Sequence, residues 1–278
     1  MYNTTTLIEA IKRNILVTSN SSKFNDVDYI AFLNEQLRWL LESVFIQLNE
    51  DFFVDSVDIT LVGGQSDYNI PEKAASWAIK SIYYKDANGI TKKLNRWTRR
   101  EEYQGSNTSP IPNGAYIKDN KLITIPAMST TTTGYISLEY ERILNLLTEL
   151  SSCGVVQSVI DTGTNYQVTV DSIPIGYTSG VDFINPKNPY ELIAKELTAS
   201  VAGSVITVIK TGFDRAPIAG DYVAQTGYTP IPHIPSEFHP ILAQAASVKC
   251  LAAMGDSKNY GTAQAELNTM IDQMINVS

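Results

Sequence analysis

The sequence predicts an α+β protein. A helical bundle formed by N- and C-terminal helices carries an antiparallel β-sheet domain and an additional inserted small β-barrel or sandwich domain. Three observations predict it. Apolar residues recur at helical spacing only near the two ends of the chain. Between Val57 and Gly227 the apolar period shortens toward two, as in strands. Neither terminal pair of helices can bury its apolar faces alone, so the two pairs are expected to pack together, with the β segments inserted between them. The expected division is 1–55 with 228–278 as the bundle, 56–150 as the sheet domain and 151–227 as the inserted β domain.

Thr6-Leu7-Ile8-Glu9 reads as a capping box, with Thr6 as N-cap of a short helix reaching about Val17. After the polar break Thr18–Ser22, a long helix is expected from about Asp26 to Asp51. Ile30, Leu33, Leu37, Leu40, Leu41, Val44 and Leu48 keep helical spacing on one face. Phe32, Trp39, Ile46 and Phe53 recur every seven residues, roughly opposite that stripe. This second stripe is either part of a wide core helix or an interface to the adjacent subunit or another protein.

Alternation marks strands at Ser56–Leu61, Ile79–Tyr84 and Tyr135–Tyr140. Asn88-Gly89 is a hairpin turn between Tyr84 and Leu94, and Asp119-Asn120 a weaker one before Lys121–Pro126. Further strands are expected at Val155–Ile160, Tyr166–Val170, Ser204–Ile209 and Asp221–Ala224, while Glu191–Ala202 is open between helix and strand. Pro230, Pro232 and Pro235 read as a stiff extended linker. Ser236 is the expected cap of a helix running to Met254, whose face is Phe238, Ile241, Leu242, Ala245 and Val248. Gly255 fits the helix end, and Asp256 or Ser257 the cap of a last helix.

With 278 residues, 44% of them hydrophobic, the chain can build a sizeable core. The formal net charge of −8 argues against a dedicated nucleic-acid binder, which needs clustered cations. The N-terminus has no charged region followed by an apolar run, and no apolar stretch nears the roughly 20 residues of a membrane helix, so a soluble protein without membrane contact is expected. Cys153 and Cys250 suggest free structural thiols.

Nucleophile-elbow, phosphate-loop, dinucleotide and zinc-protease signatures are lacking, and no catalysis is expected. His233 and His239, with Glu237, are the residues that would have to converge on a metal; a contact at the helix start is the simpler reading, and no metal or cofactor is expected. Glu139 and Glu141 share a strand face, where solvation is commoner than acid–base work. Lys92, Lys93, Arg96, Arg99 and Arg100 cluster near Trp97 and Tyr103, a possible protein or DNA contact, with protein favoured by the acidic total.

Several stretches together resemble the head-to-tail adaptor proteins of tailed phages, including the tail-tubular or gatekeeper-like subunits of short-tailed phages. They are Asp67–Pro71, Ile79–Tyr83, Asp86–Gly89, Leu94, Arg99–Glu102, Ile111–Ile117, Leu122–Ala127 and Leu138–Arg142. Ile234–Leu242, Gly255-Asp256 and the last helix continue the likeness, whereas 152–226 departs from it as an insertion. The resemblance implies a structural virion protein of the neck, made in the host cytoplasm. It would form a ring of its own copies, twelvefold in that family, between the portal protein and the next neck or tail protein, with DNA passing through the lumen without sequence-specific binding. A carbohydrate- or receptor-binding β-rich virion module is the alternative, prompted by 15 tyrosines, although Tyr135 and Tyr140 also fit strand faces.

Overall fold

The computed structural model describes residues 2–15, 23–41, 54–71, 74–86, 88–97, 108–109, 111–125, 127–128, 134–188 and 192–277. Helices and several antiparallel sheets coexist, as expected for α+β. The chain divides into two compact units: Met1–Leu48 with Leu144–Ser278, and Asn49–Ile143.

Among the described residues, the first unit holds four α-helices: α1 (Thr4–Asn14), α2 (Asp26–Leu40), α3 (His239–Met254) and α4 (Ser257–Val277). Helix α3 is the hub, in contact with each of the other three. Its expected one-sided apolar face is an underestimate. His239, Ile241 to Val248, Cys250 and Leu251 are all buried, because Ala243, Ala245, Ala246 and Ser247 let neighbouring helices approach on nearly every side. Two buried polar groups on this hub are answered across the bundle. The Asn14 amide donates to Gln244 Oε1 at 2.9 Å and to Ser247 Oγ at 3.2 Å, and Gln244 Nε2 donates to the Ala263 carbonyl at 3.1 Å.

The helix ends depart from the sequence reading in instructive ways. Asn3, not Thr6, caps α1: Asn3 Oδ1 accepts from the Thr6 amide at 2.9 Å, and the Thr6 hydroxyl donates to the Asn3 carbonyl. Starting there places Thr4, Leu7, Ile8 and Ile11 in the core, and Asn is at least as good a cap as Thr. Helix α1 ends at Asn14. Asn25 and Asp28 form the capping box of α2, with reciprocal bonds of 3.0 and 2.8 Å. The stretch 42–51 of the expected long helix lies outside the described residues. Ser236 does not cap α3, which begins after one 3-10 turn, with Pro240 in its first turn where a missing N–H costs nothing. Gly255, at φ 75°, ends α3, and Asp256 caps α4 by accepting from the Asn259 amide at 3.2 Å.

The proline-rich stretch, expected as a stiff extended linker, is packed into the protein. Thr229 to Ile234 are all buried, and the Pro230 carbonyl accepts from the Thr4 amide at 2.9 Å. Proline needs no partner for a backbone N–H, so a proline-rich strap can be buried at little cost in unsatisfied donors.

A seven-stranded sheet completes the unit. Its order is Leu192–Leu197, Val181–Ile184, Tyr222–Gln225, Gly154–Asp161, Asn165–Val170, Val205–Ile209, Ala199–Ala202, with every neighbour antiparallel. Among the described residues no closed barrel is found. The two edge strands are nonetheless consecutive in the chain, with Thr198 between them and Glu196 at φ 55°, so the chain bends from one edge of the ladder to the other. This resolves 192–202 as strand. Val156, Tyr166, Val168, Phe183, Ile206 and Val223 fill its core, and Phe213 meets the rings of Tyr166 and Phe183 edge-on at 5.1 and 4.9 Å.

Where the chain enters and leaves this sheet, Leu146-Leu147 and Tyr228-Thr229 form a short parallel ladder. Asn34 of α2 grips it. Its Nδ2 donates to the Leu147 carbonyl at 3.0 Å, and its Oδ1 accepts from the Leu147 amide at 2.7 Å. Asn145, one step earlier, donates to Asp182 Oδ2 at 2.9 Å.

The second unit contains two four-stranded sheets over one core of Tyr68, Ile82, Leu94, Leu122, Ile136, Leu138 and their neighbours. One sheet is antiparallel throughout, in the order Val54–Thr60, Tyr135–Arg142, Ala74–Lys85, Thr91–Lys93. The other runs Asp67–Asn69, Lys121–Ile125, Gly114–Lys118, Asn95–Arg96, and its last pair is parallel, a departure from the all-antiparallel expectation. Both expected hairpins form. Asp119 and Asn120, at φ 52° and 58°, make the tight one, since Asp and Asn tolerate the left-handed region. Asn88-Gly89 sits in a wider turn, in which the Asp86 carboxylate accepts from the amides of Asn88 and Ile90 at 2.8 and 2.7 Å.

Replacing Asn34 by Ala should lower the unfolding free energy by about 2 kcal/mol, because Leu147 is 2% exposed and water cannot replace both lost bonds. A shift of the urea midpoint at unchanged slope would register this; no shift would show that the grip is dispensable.

Candidate functional site

The aromatic stripe on α2 is divided by the fold. Phe32 is half-buried, with the Phe24 ring edge-on at 5.3 Å, so it belongs to the packing at the start of α2. Trp39 remains 38% exposed, although Leu33, Leu37 and Leu40 on the other face are buried. Exposure of a tryptophan beside a filled core leaves apolar surface for another molecule to cover. Ile46 and Phe53 lie outside the described residues.

The basic stretch is also divided. Lys92 and Lys93 lie on the exposed edge strand Thr91–Lys93, and Arg96 on Asn95–Arg96. Arg99 and Arg100 lie outside the described residues. Between Lys93 and Arg96 the chain passes from one sheet to the other, while Leu94 is buried and its amide donates to the Ile82 carbonyl at 2.8 Å. Beyond that bond the strands part. The gap is a cleft of about 320 Å³ lined by Ile79 to Ile82 and Lys93 to Arg96. Arg96 Nη1 donates across it to the Ile79 carbonyl at 2.8 Å. Gly114 permits the parallel pairing that holds Arg96 there: a Cβ on it would come within 2.6 Å of the Asn95 carbonyl. Lys92 does not line the cleft, and its Nζ approaches Asn113 Oδ1 at 3.5 Å. Sequence reading found the cations but not the cleft, whose one signal is an apolar Leu94 between cations where the chain changes sheets.

The remaining candidates resolve into packing. His239 is fully buried; its Nε2 lies 3.2 Å from the Ile234 carbonyl, and the Tyr2 ring meets it edge-on. His233 is buried too, whereas Glu237 is exposed. Among the described residues no three His, Cys, Asp or Glu side chains come together in a way that could hold a metal ion. Burial pushes the Cys153 and Cys250 thiols up to about 12, so both stay protonated at neutral pH and are poor nucleophiles. Glu141 lies 4.0 Å from Lys80, and Glu139 faces Ser56 and Ser81 across the strands. Tyr140 is a core residue, and Tyr135 is exposed opposite Thr60 and Lys85. No helix among the described residues is long and apolar enough to cross a membrane.

Burial depresses the pKa of His239 below its ordinary 6.5. The folded protein then holds the ring neutral while the unfolded chain takes up a proton, so the stabilisation is complete above pH 6.5 and falls as pH drops toward the folded-state value. Thermal midpoints should fall between pH 7 and about pH 5, before carboxylates begin to protonate, and His239→Gln should flatten that fall. Identical pH profiles for the two proteins would remove His239 as the cause.

Neither a known protein-family model nor a curated protein sequence matches this chain.

Proposed function

We propose that this chain is a structural virion protein, a head-to-tail adaptor ring subunit that joins the portal to the tail and forms part of the DNA passage. The observation that carries the reading is Trp39, exposed on a helix whose opposite face is already filled by its own bundle. A head-to-tail ring requires each copy to offer two different surfaces, and an outward aromatic on a rigid helix is suited to be one of them. The motif resemblance of the sheet unit and the C-terminal helices supplies the rest of the assignment. In this reading the terminal helices build the ring, and the inserted sheet between Gly154 and Gln225 presents a surface to the next neck component. Portal and tail contacts are individually modest and gain strength by repetition around the ring. The role is mechanical, with no catalysis and no cofactor. DNA passes through the lumen without sequence-specific contact.

Trp39→Asp should leave a folded monomer, by circular dichroism and light scattering, that no longer assembles on purified portal. Assembly at wild-type yield would overturn the role of this face. Labelled protein located away from the neck in electron micrographs of virions would overturn the assignment as a whole.

A further inference from the structure

We propose that the cleft between Ile79–Ile82 and Lys93–Arg96 is a docking site for an acidic, extended peptide segment of a partner protein. The inference does not depend on the ring reading, since it rests on the local chemistry of the second unit.

Three features of the cleft converge. The first is charge: Lys80, Lys93 and Arg96 all line it. Lys80 lies near Glu141, but Lys93 has no ion-pair partner among the described residues. The second is orientation. Arg96 spends one nitrogen, Nη1, on the Ile79 carbonyl, and that bond fixes the plane of the guanidinium. A guanidinium held in place can take a carboxylate in forked geometry with less loss of side-chain entropy than a free one. The third is backbone. Strand Ala74–Lys85 is paired along one side by Tyr135–Arg142, but on its other side Thr91–Lys93 pairs only with Tyr83 to Lys85. There the Leu94 amide takes the Ile82 carbonyl and Arg96 the Ile79 carbonyl, so among the described residues it is Lys80 and Ser81, between them, that have no strand paired on that side. A sheet edge of this kind accepts an added strand by main-chain bonds, with side-chain pockets supplying selectivity. The Ser81 and Asn95 side chains in the lining add neutral hydrogen-bonding groups.

Charge range separates a peptide from nucleic acid as the occupant. The chain as a whole is at −8. A duplex draws its affinity from many phosphate contacts along its length, whereas the cleft offers three lining cations, a number suited to a short acidic segment. A short acidic segment samples only the local cations. Among the described residues the cleft is also a slot between strands rather than a broad cationic groove with stacking aromatics.

The test is fluorescence anisotropy of the full chain with a labelled oligoglutamate peptide, beside a labelled oligothymidylate of the same length. The peptide should bind, and more tightly than the oligonucleotide. Lys93→Gln, a surface change that keeps Arg96 in place, should weaken peptide binding about tenfold, equivalent to about 1.4 kcal/mol. Arg96→Lys should weaken it by a similar factor, since charge is kept but the fork is lost, and Lys92→Gln should leave it unchanged. Circular dichroism of each variant checks folding. Absence of peptide binding, equal binding by Lys93→Gln, an equal loss in Lys92→Gln, or tighter binding of the oligonucleotide would each overturn the proposal.

Discussion

The first unit depends on a polar clasp at the point where the chain enters the seven-stranded sheet and later leaves it for the C-terminal helices. Leu146-Leu147 and Tyr228-Thr229 lie side by side there in a two-residue parallel ladder. A ladder that short has little strength of its own. It holds because two side chains complete its hydrogen bonding: half-buried Asn34 grips both backbone groups of Leu147, and buried Asn145 reaches Asp182 and the Tyr228 carbonyl. Asp182, fully buried, also accepts from the Gly227 and Glu196 amides at 3.1 and 2.8 Å. A buried carboxylate is tolerable only when its oxygens are supplied with donors in this way. An insertion of this length can sit between two halves of a helical bundle only if its ends are brought together, and the clasp brings them together.

The same economy governs the helices. A hub helix buried on nearly every side leaves its neighbours only one inward face each, so α2 fills the core with Leu33, Leu37 and Leu40 and turns Trp39 outward. That arrangement follows from the small residues of α3, which let the helices close tightly enough to exhaust the interior. In the adaptor reading, the outward tryptophan is surplus apolar surface that another copy covers. The second unit has a different logic: charged and polar groups are gathered where two sheets part, and the basic side chains there are positioned by backbone pairing rather than by a core.

Much of this architecture was legible in the chain, because it rests on periodicity and on residues with restricted backbones. The change from helical to strand spacing near Val57, the hairpins at Asn88-Gly89 and Asp119-Asn120, and the stop at Gly255 are all local, and local preferences survive into the fold. Errors arose where two local choices were nearly equal. Asn3 and Thr6 are both good caps, and only burial of Thr4 and Leu7 decides between them. Pro230 to Pro235 read as a stiff extended linker because proline is extended anywhere, but extended backbone with few donors is also the easiest kind to bury.

By itself, then, the sequence determined the terminal helices and the strands with clear alternation, the turns at Asn88-Gly89 and Asp119-Asn120, the acidic total and the candidates Trp39, Lys93 and Arg96, but not strands such as Val181–Ile184 or the state of 192–202. Tertiary structure decided which of these meet. The grip of Asn34 on Leu147 spans 113 positions and that of Asn14 on Gln244 spans 230. No spacing rule links residues so far apart, because such pairs are selected by the satisfaction of buried polar groups after the elements have packed. The cleft beside Arg96 has the same origin: it exists only because two sheets share one stretch of chain and then diverge.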